Sequence, residues 1–169
     1  GRINTDVDLM SLRSDTVKIN NLVFQSIEVV IEQKGLSTNL QQVIKSIEKP
    51  AEEPKKEEKY FVINNLEIND INVKAKVLPI PGKVDTVTFE PEDIKMTDLG
   101  TDKKLTMDEL TELIVKAIAA DITMTGSDIL PEEIIEPMKN LLGDTPEKIF
   151  DTGEGVLEGG KEIIEDIFK

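Results

Sequence analysis

VKINNLVFQSIEVVIEQ, residues 17–33, and FVINNLEINDINVKAKV, residues 61–77, share the tetrapeptide INNL, at 19–22 and again at 63–66. The copies stand 44 residues apart, a spacing at which repeated supersecondary units occur. The match runs past the tetrapeptide: Ile27 aligns with Ile71, Val29 with Val73 and Ile31 with Ala75. Both copies alternate apolar and polar residues, the pattern of a half-buried strand. The alternation slips at each Asn pair, since Ile19 and Leu22, like Ile63 and Leu66, are three apart. One extra residue in a strand is a bulge, so the shared slip predicts a shared bend. Further on, Asn69-Asp70 tolerates positive φ in a tight turn, and Gln25-Ser26 holds the same place in the first copy. Each copy therefore reads as a bulged hairpin, and the two together predict an antiparallel sheet.

The elements around the repeat complete an α+β class, with helices between and after the strands. Ile3, Thr5, Val7 and Leu9 alternate with polar residues and predict a strand over 2–9. After the first copy, Ser37 or Thr38 can cap a helix carrying Leu40, Val43, Ile44 and Ile47 at helical spacing. Residues 49–59, KPAEEPKKEEK, lack apolar periodicity and read as a charged linker to the second copy. KVDTVTFE (83–90) and EDIKMTDL (92–99) predict two more strands. Thr106-Met107-Asp108-Glu109 matches the capping box and opens a helix with Leu110, Leu113, Ile114, Ala117 and Ile118 on one face. Glycines and prolines break the remainder into short helical pieces, ending in an amphipathic stripe of Ile163, Ile164, Ile167 and Phe168. Two parts follow: residues 1–125, a sheet with two helices, and residues 126–169, a helical tail packing on or near it.

Composition narrows the function. Twenty Lys and Arg stand against 34 Asp and Glu, a formal charge of −14. That balance disfavours nucleic acid and anionic lipid headgroups, favours solubility and suppresses self-association. The absence of Cys and His removes the common nucleophile–base pairs and thiolate metal sites, so no enzyme and no cofactor is expected. No Trp and one Tyr leave little from which to build an aromatic sugar cleft between carboxylates. From Asp121 the chain approaches a calcium loop, with Gly126 at position 6 and Glu132 at position 12. Positions 3 and 5 are Thr123 and Thr125 and position 8 is Asp128, so a plain interhelical loop is expected. No stretch reaches the roughly 18 apolar residues of a membrane span. The first residue is Gly rather than Met, and the chain reads as a piece of a longer one.

The apolar face of the repeat is the candidate site: Leu22, Phe24, Ile27, Val29 and Ile31 from the first copy, Leu66, Ile68, Ile71 and Val73 from the second. It is either the core beneath the helices at 38–48 and 106–122 or, in part, an open hydrophobic groove.

The order of pieces resembles the AsmA-like family of bacterial envelope proteins. Four stretches carry the resemblance: VKINNLVFQSIEVVIEQKGLSTNLQQVIKSIEK, whose Gly35-Leu36-Ser37-Thr38-Asn39-Leu40 is one residue longer than the family's G-x-S-N-L; the charged Pro/Lys/Glu linker; FVINNLEINDINVKAKV; and DIKMTDLG followed by LTMDELTELIVKAI. They span residues 17–118, and the C-terminal third departs from the family pattern. The resemblance implies a non-enzymatic periplasmic protein tethered to the inner membrane by a segment outside this sequence. It also implies a contribution to outer-membrane homeostasis through a long curved sheet whose apolar interior carries acyl chains. Implied partners are lipid acyl chains or other envelope proteins. The alternative is a structural or protein-interaction module whose face is filled by its own helices.

Overall fold

The computed structural model describes residues 1–34, 37–47, 59–76 and 86–142. The chain is α+β, with one mixed sheet carrying its helices on one face. Its strands are β1 (Arg2–Val7), β2 (Thr16–Lys34), β3 (Ser37–Thr38), β4 (Tyr60–Lys76), β5 (Thr86–Phe89) and β6 (Ile94–Leu99). Its helices are α1 (Asn39–Ile47), α2 (Met107–Thr125) and α3 (Glu132–Leu142), and a single 3-10 turn, Ser11–Arg13, joins β1 to β2. The linker expected over 49–59, apart from Lys59, and the amphipathic stripe at 163–168 lie outside the described residues.

The hairpin expectation is corrected: each copy of the repeat is one long strand. β2 runs through Gln25-Ser26 and β4 through Asn69-Asp70 without reversing. The physical reason lies in the backbone. Ser26 (φ 56°) and Asp70 (φ 58°) each take a single left-handed conformation. A single left-handed residue serves either a type II′ turn or a jog, and here the chain continues: β2 and β4 stay paired in parallel on both sides of Ser26 and Asp70, so each residue jogs its strand. Each strand therefore switches face twice, at the Asn pair and again at Ser26 or Asp70. This keeps Ile19, Leu22, Ile31 and Ile63, Leu66, Ile68, Ile71, Val73 buried despite their mixed parity.

The two copies also pair parallel rather than antiparallel. Ile19 aligns with Ile63, Leu22 with Leu66, Ile27 with Ile71 and Ile31 with Ala75 along the whole length. Matching jogs let both strands switch face together without losing register. Equivalent positions of the repeat then meet across the pair. Asn65 Nδ2 donates to Asn21 Oδ1 at 2.8 Å, Ser26 Oγ to Asp70 Oδ2 at 2.7 Å and Lys76 Nζ to Glu32 Oε1 at 2.8 Å. The connection that parallel pairing requires is supplied by β3, α1 and the residues up to 59. Antiparallel pairing holds at the flanks, with β1 on β2 and with β5 and β6 on β4.

The expected capping box opens α2. Thr106 Oγ1 accepts from the Glu109 N–H at 3.2 Å, and Glu109 Oε2 accepts from the Thr106 N–H at 2.8 Å. Leu110, Leu113 and Ala117 from its apolar face are buried in the core, with Ile44 of α1 and Ile134 and Met138 of α3. Where β6 ends, Gly100 sits at φ +80°, and a Cβ there would lie 2.3 Å from the Phe61 carbonyl oxygen. Gly100→Ala should therefore cost at least about 2 kcal/mol, through both the left-handed backbone and the clash. A urea midpoint equal to wild type would show that the β4–β6 junction is looser than this geometry.

Candidate functional site

The nine residues of the candidate face divide by strand. Leu66, Ile68, Ile71 and Val73 of β4, with Ile31 and Leu22 of β2, are buried. Phe24, Ile27 and Val29 of β2 are only partly buried and pack against the edge of that core. The division follows from the helix layer. α2 packs on β4 and β6, and α1 packs on β2, which leaves β1 outside their main contacts. Ile68 and Phe24 are direct register partners, yet Ile68 is 0% exposed while Phe24 reaches solvent.

The apolar row continues outward onto β1. Ile3 pairs with Phe24, Thr5 with Leu22 and Val7 with Ile19, so these three project from the core face. Ile3 is 63% exposed. Just beyond, Leu9 and Met10 are each 74% exposed and Leu12 is 46% exposed. Leu9, expected as part of the first strand, lies past its end. The result is an apolar shelf where Ile3 of β1 stands beside Phe24 of β2, with Leu9, Met10 and Leu12 exposed beyond the other end of β1. Exposure of Leu9, Met10 and Leu12 could not be read from sequence, because alternation makes no distinction between a covered and an uncovered face.

The opposite face is polar. Asn65 and Asn69 both donate to the Glu67 carboxylate, at 3.1 and 3.3 Å, and hold it below its ordinary pKa. At the second jog a polar hollow of about 430 Å³ is lined by Gly1, Arg2, Gln25, Ser26, Asn69 and Asp70. Its lining suits water or polar groups and offers nothing to an acyl chain.

Asp121 belongs to helix, not to a cation loop: Asp121, Thr123 and Thr125 all lie in the last turns of α2. Among the described residues no cluster of three or more acids is placed to hold a metal ion. Asp121 itself is buried, and its Oδ2 has no hydrogen-bond partner. Burial, reinforced by the negative charges of Glu92 and Asp93, pushes its carboxyl up to about 7. No helix among the described residues is long and apolar enough to cross a membrane. No protein-family model matches the chain, and neither the curated proteins nor the solved structures contain a match to it.

Proposed function

We propose that this chain is a non-enzymatic structural segment of an AsmA-like periplasmic envelope protein, contributing to outer-membrane homeostasis as one self-filled block of sheet. The observation that carries this reading is the closure of the apolar face: Ile31, Leu66, Ile68, Ile71 and Val73 are packed beneath the chain's own helices. A face so filled has no room for an acyl chain along β4. The absence of His and Cys from the sequence supports the non-enzymatic part, and the four stretches across 17–118 support the family. Attachment to the inner membrane would come from chain outside this sequence.

A second reading keeps lipid handling but confines it to the shelf of Ile3, Phe24, Leu9, Met10 and Leu12. A patch of large exposed apolar side chains next to a core is what a hydrophobic ligand would use. Mass spectrometry of lipids co-purifying from membrane-containing cells separates the two, with Ile3→Asp and Phe24→Asp as shelf variants. We expect no stoichiometric lipid on the wild-type chain. Lipid at about one per chain, lost in both folded variants, would replace the structural reading with the shelf reading.

A further inference from the structure

β1 is the outer strand of the sheet, and its far edge pairs with no strand among the described residues. All of its residues from Arg2 to Asp6 are exposed. An unpaired edge carries a row of backbone donors and acceptors ready to pair with another strand, and proteins commonly blunt it with charged side chains, Pro or bulges. Here the two charges are of opposite sign, so they repel a strand of fixed charge but match a second copy run antiparallel. Arg2 and Asp6 lie four residues apart and project from the same face, with Asn4 between them. Neither has an ion-pair partner among the described residues.

From this spacing we infer that β1 is a homodimer edge: two copies of the chain join their sheets antiparallel about a two-fold axis through Asn4. In that register Arg2 of each copy stands opposite Asp6 of the other, and Ile3 stands opposite Thr5. An isologous contact requires a self-complementary surface, and this one is complementary twice over. The polar face gains two opposite-charge pairs. The core-side face gains apolar continuity, because Ile3 and Thr5 sit on the same side as Phe24 and Leu22. A register shifted by one residue would place Ile3 opposite Asp6 and mix the two faces. The joined sheet would run β5/β6-β4-β2-β1 in one copy and back through β1-β2-β4 in the other, with both shelves meeting at the axis.

The overall charge of −14 per copy opposes this union at long range. Contacts within the edge are short-range and locally neutral, so added salt screens the repulsion more than it weakens the pairing. Association should therefore be weak and should tighten between about 0.05 and 0.3 M NaCl. The inference concerns the edge alone and stands whether or not the shelf takes lipid.

Charge exchange tests it. Sedimentation equilibrium of the full 169-residue chain should show a monomer–dimer equilibrium over loadings from about 10 μM to about 1 mM. Arg2→Asp alone and Asp6→Arg alone each set like charges against each other, and should each weaken association at least about tenfold. An equimolar mixture of the two single variants restores both opposite-charge pairs and should associate as the wild type does. Both positions are exposed, so the unfolding midpoints of the single variants should match wild type. A wild type that stays monomeric throughout would overturn the inference. So would single variants that associate normally, or a mixture that fails to recover.

Discussion

Replacing Ile68 with aspartate should unfold the chain, while the same change at its register partner Phe24 should leave it folded. Ile68 is 0% exposed and lies between Phe24 of β2 and Ile94 of β6, beneath the helix layer. An aspartate there loses the isoleucine's burial and places a carboxylate among apolar side chains with no cation to meet it. Together these cost at least about 5 kcal/mol, comparable with the entire stability of an ordinary domain. Phe24 stands one strand nearer the edge and already reaches solvent, so a carboxylate at that position can remain hydrated. Its cost should be about 1–2 kcal/mol, mostly lost aromatic contact. Far-UV circular dichroism with urea titration reads both: no cooperative transition for Ile68→Asp, a lowered midpoint for Phe24→Asp. A folded Ile68→Asp protein near the wild-type midpoint would mean that the β4 face is not packed core, and the groove reading would regain its ground.

The contrast between these partners shows how far the sequence could be read. Alternation correctly marked both as residues of one apolar face, and the α+β class and the capping box at Thr106 were legible for similarly local reasons. The slip at each Asn pair also reported a real switch of face, since Ile19 and Leu22, like Ile63 and Leu66, are buried. The turn signal at Asn69-Asp70 and Gln25-Ser26 was misleading because a hairpin turn and a single left-handed jog select the same residue types. Ser26 and Asp70 satisfy either, and local preference cannot say whether the chain reverses after the left-handed residue. The decisive signal was non-local and was present in the chain. Asn21 and Asn65, Ser26 and Asp70, and Glu32 and Lys76 are all separated by one constant interval. Constant separation is the signature of parallel, in-register pairing, whereas partners in antiparallel strands approach one another along the chain. The extent of the helix cover had no such signature. Whether Phe24 is shelf or core depends on where α1 and α2 come to rest, and their own apolar faces do not state that.

Asp121 was legible as a residue but not as an environment. Its burial comes from its place in α2 and from the β5–β6 connection, which brings Glu92 and Asp93 near it. Those charges are both negative, and no hydrogen bond reaches Oδ2. The folded chain therefore holds this carboxyl near pKa 7 against an ordinary 3.8. For an acid raised on folding, the native state binds the extra proton, so stability falls as pH rises from the unfolded value through the folded one. The loss begins near pH 4, grows up to about pH 7 and is constant above that. At roughly 1.4 kcal/mol per pH unit it reaches roughly 4 kcal/mol. Asp121→Asn removes the titration while keeping an oxygen to accept from the Glu92 N–H. Its advantage over wild type should be near zero at about pH 4 and should approach roughly 4 kcal/mol at about pH 8. Urea unfolding of both proteins across that range measures the difference directly. A gap independent of pH would place the titrating proton elsewhere. A gap that opens on acidification would reverse the sign, and would mean that Asp121 is held ionised by a partner its present surroundings do not supply.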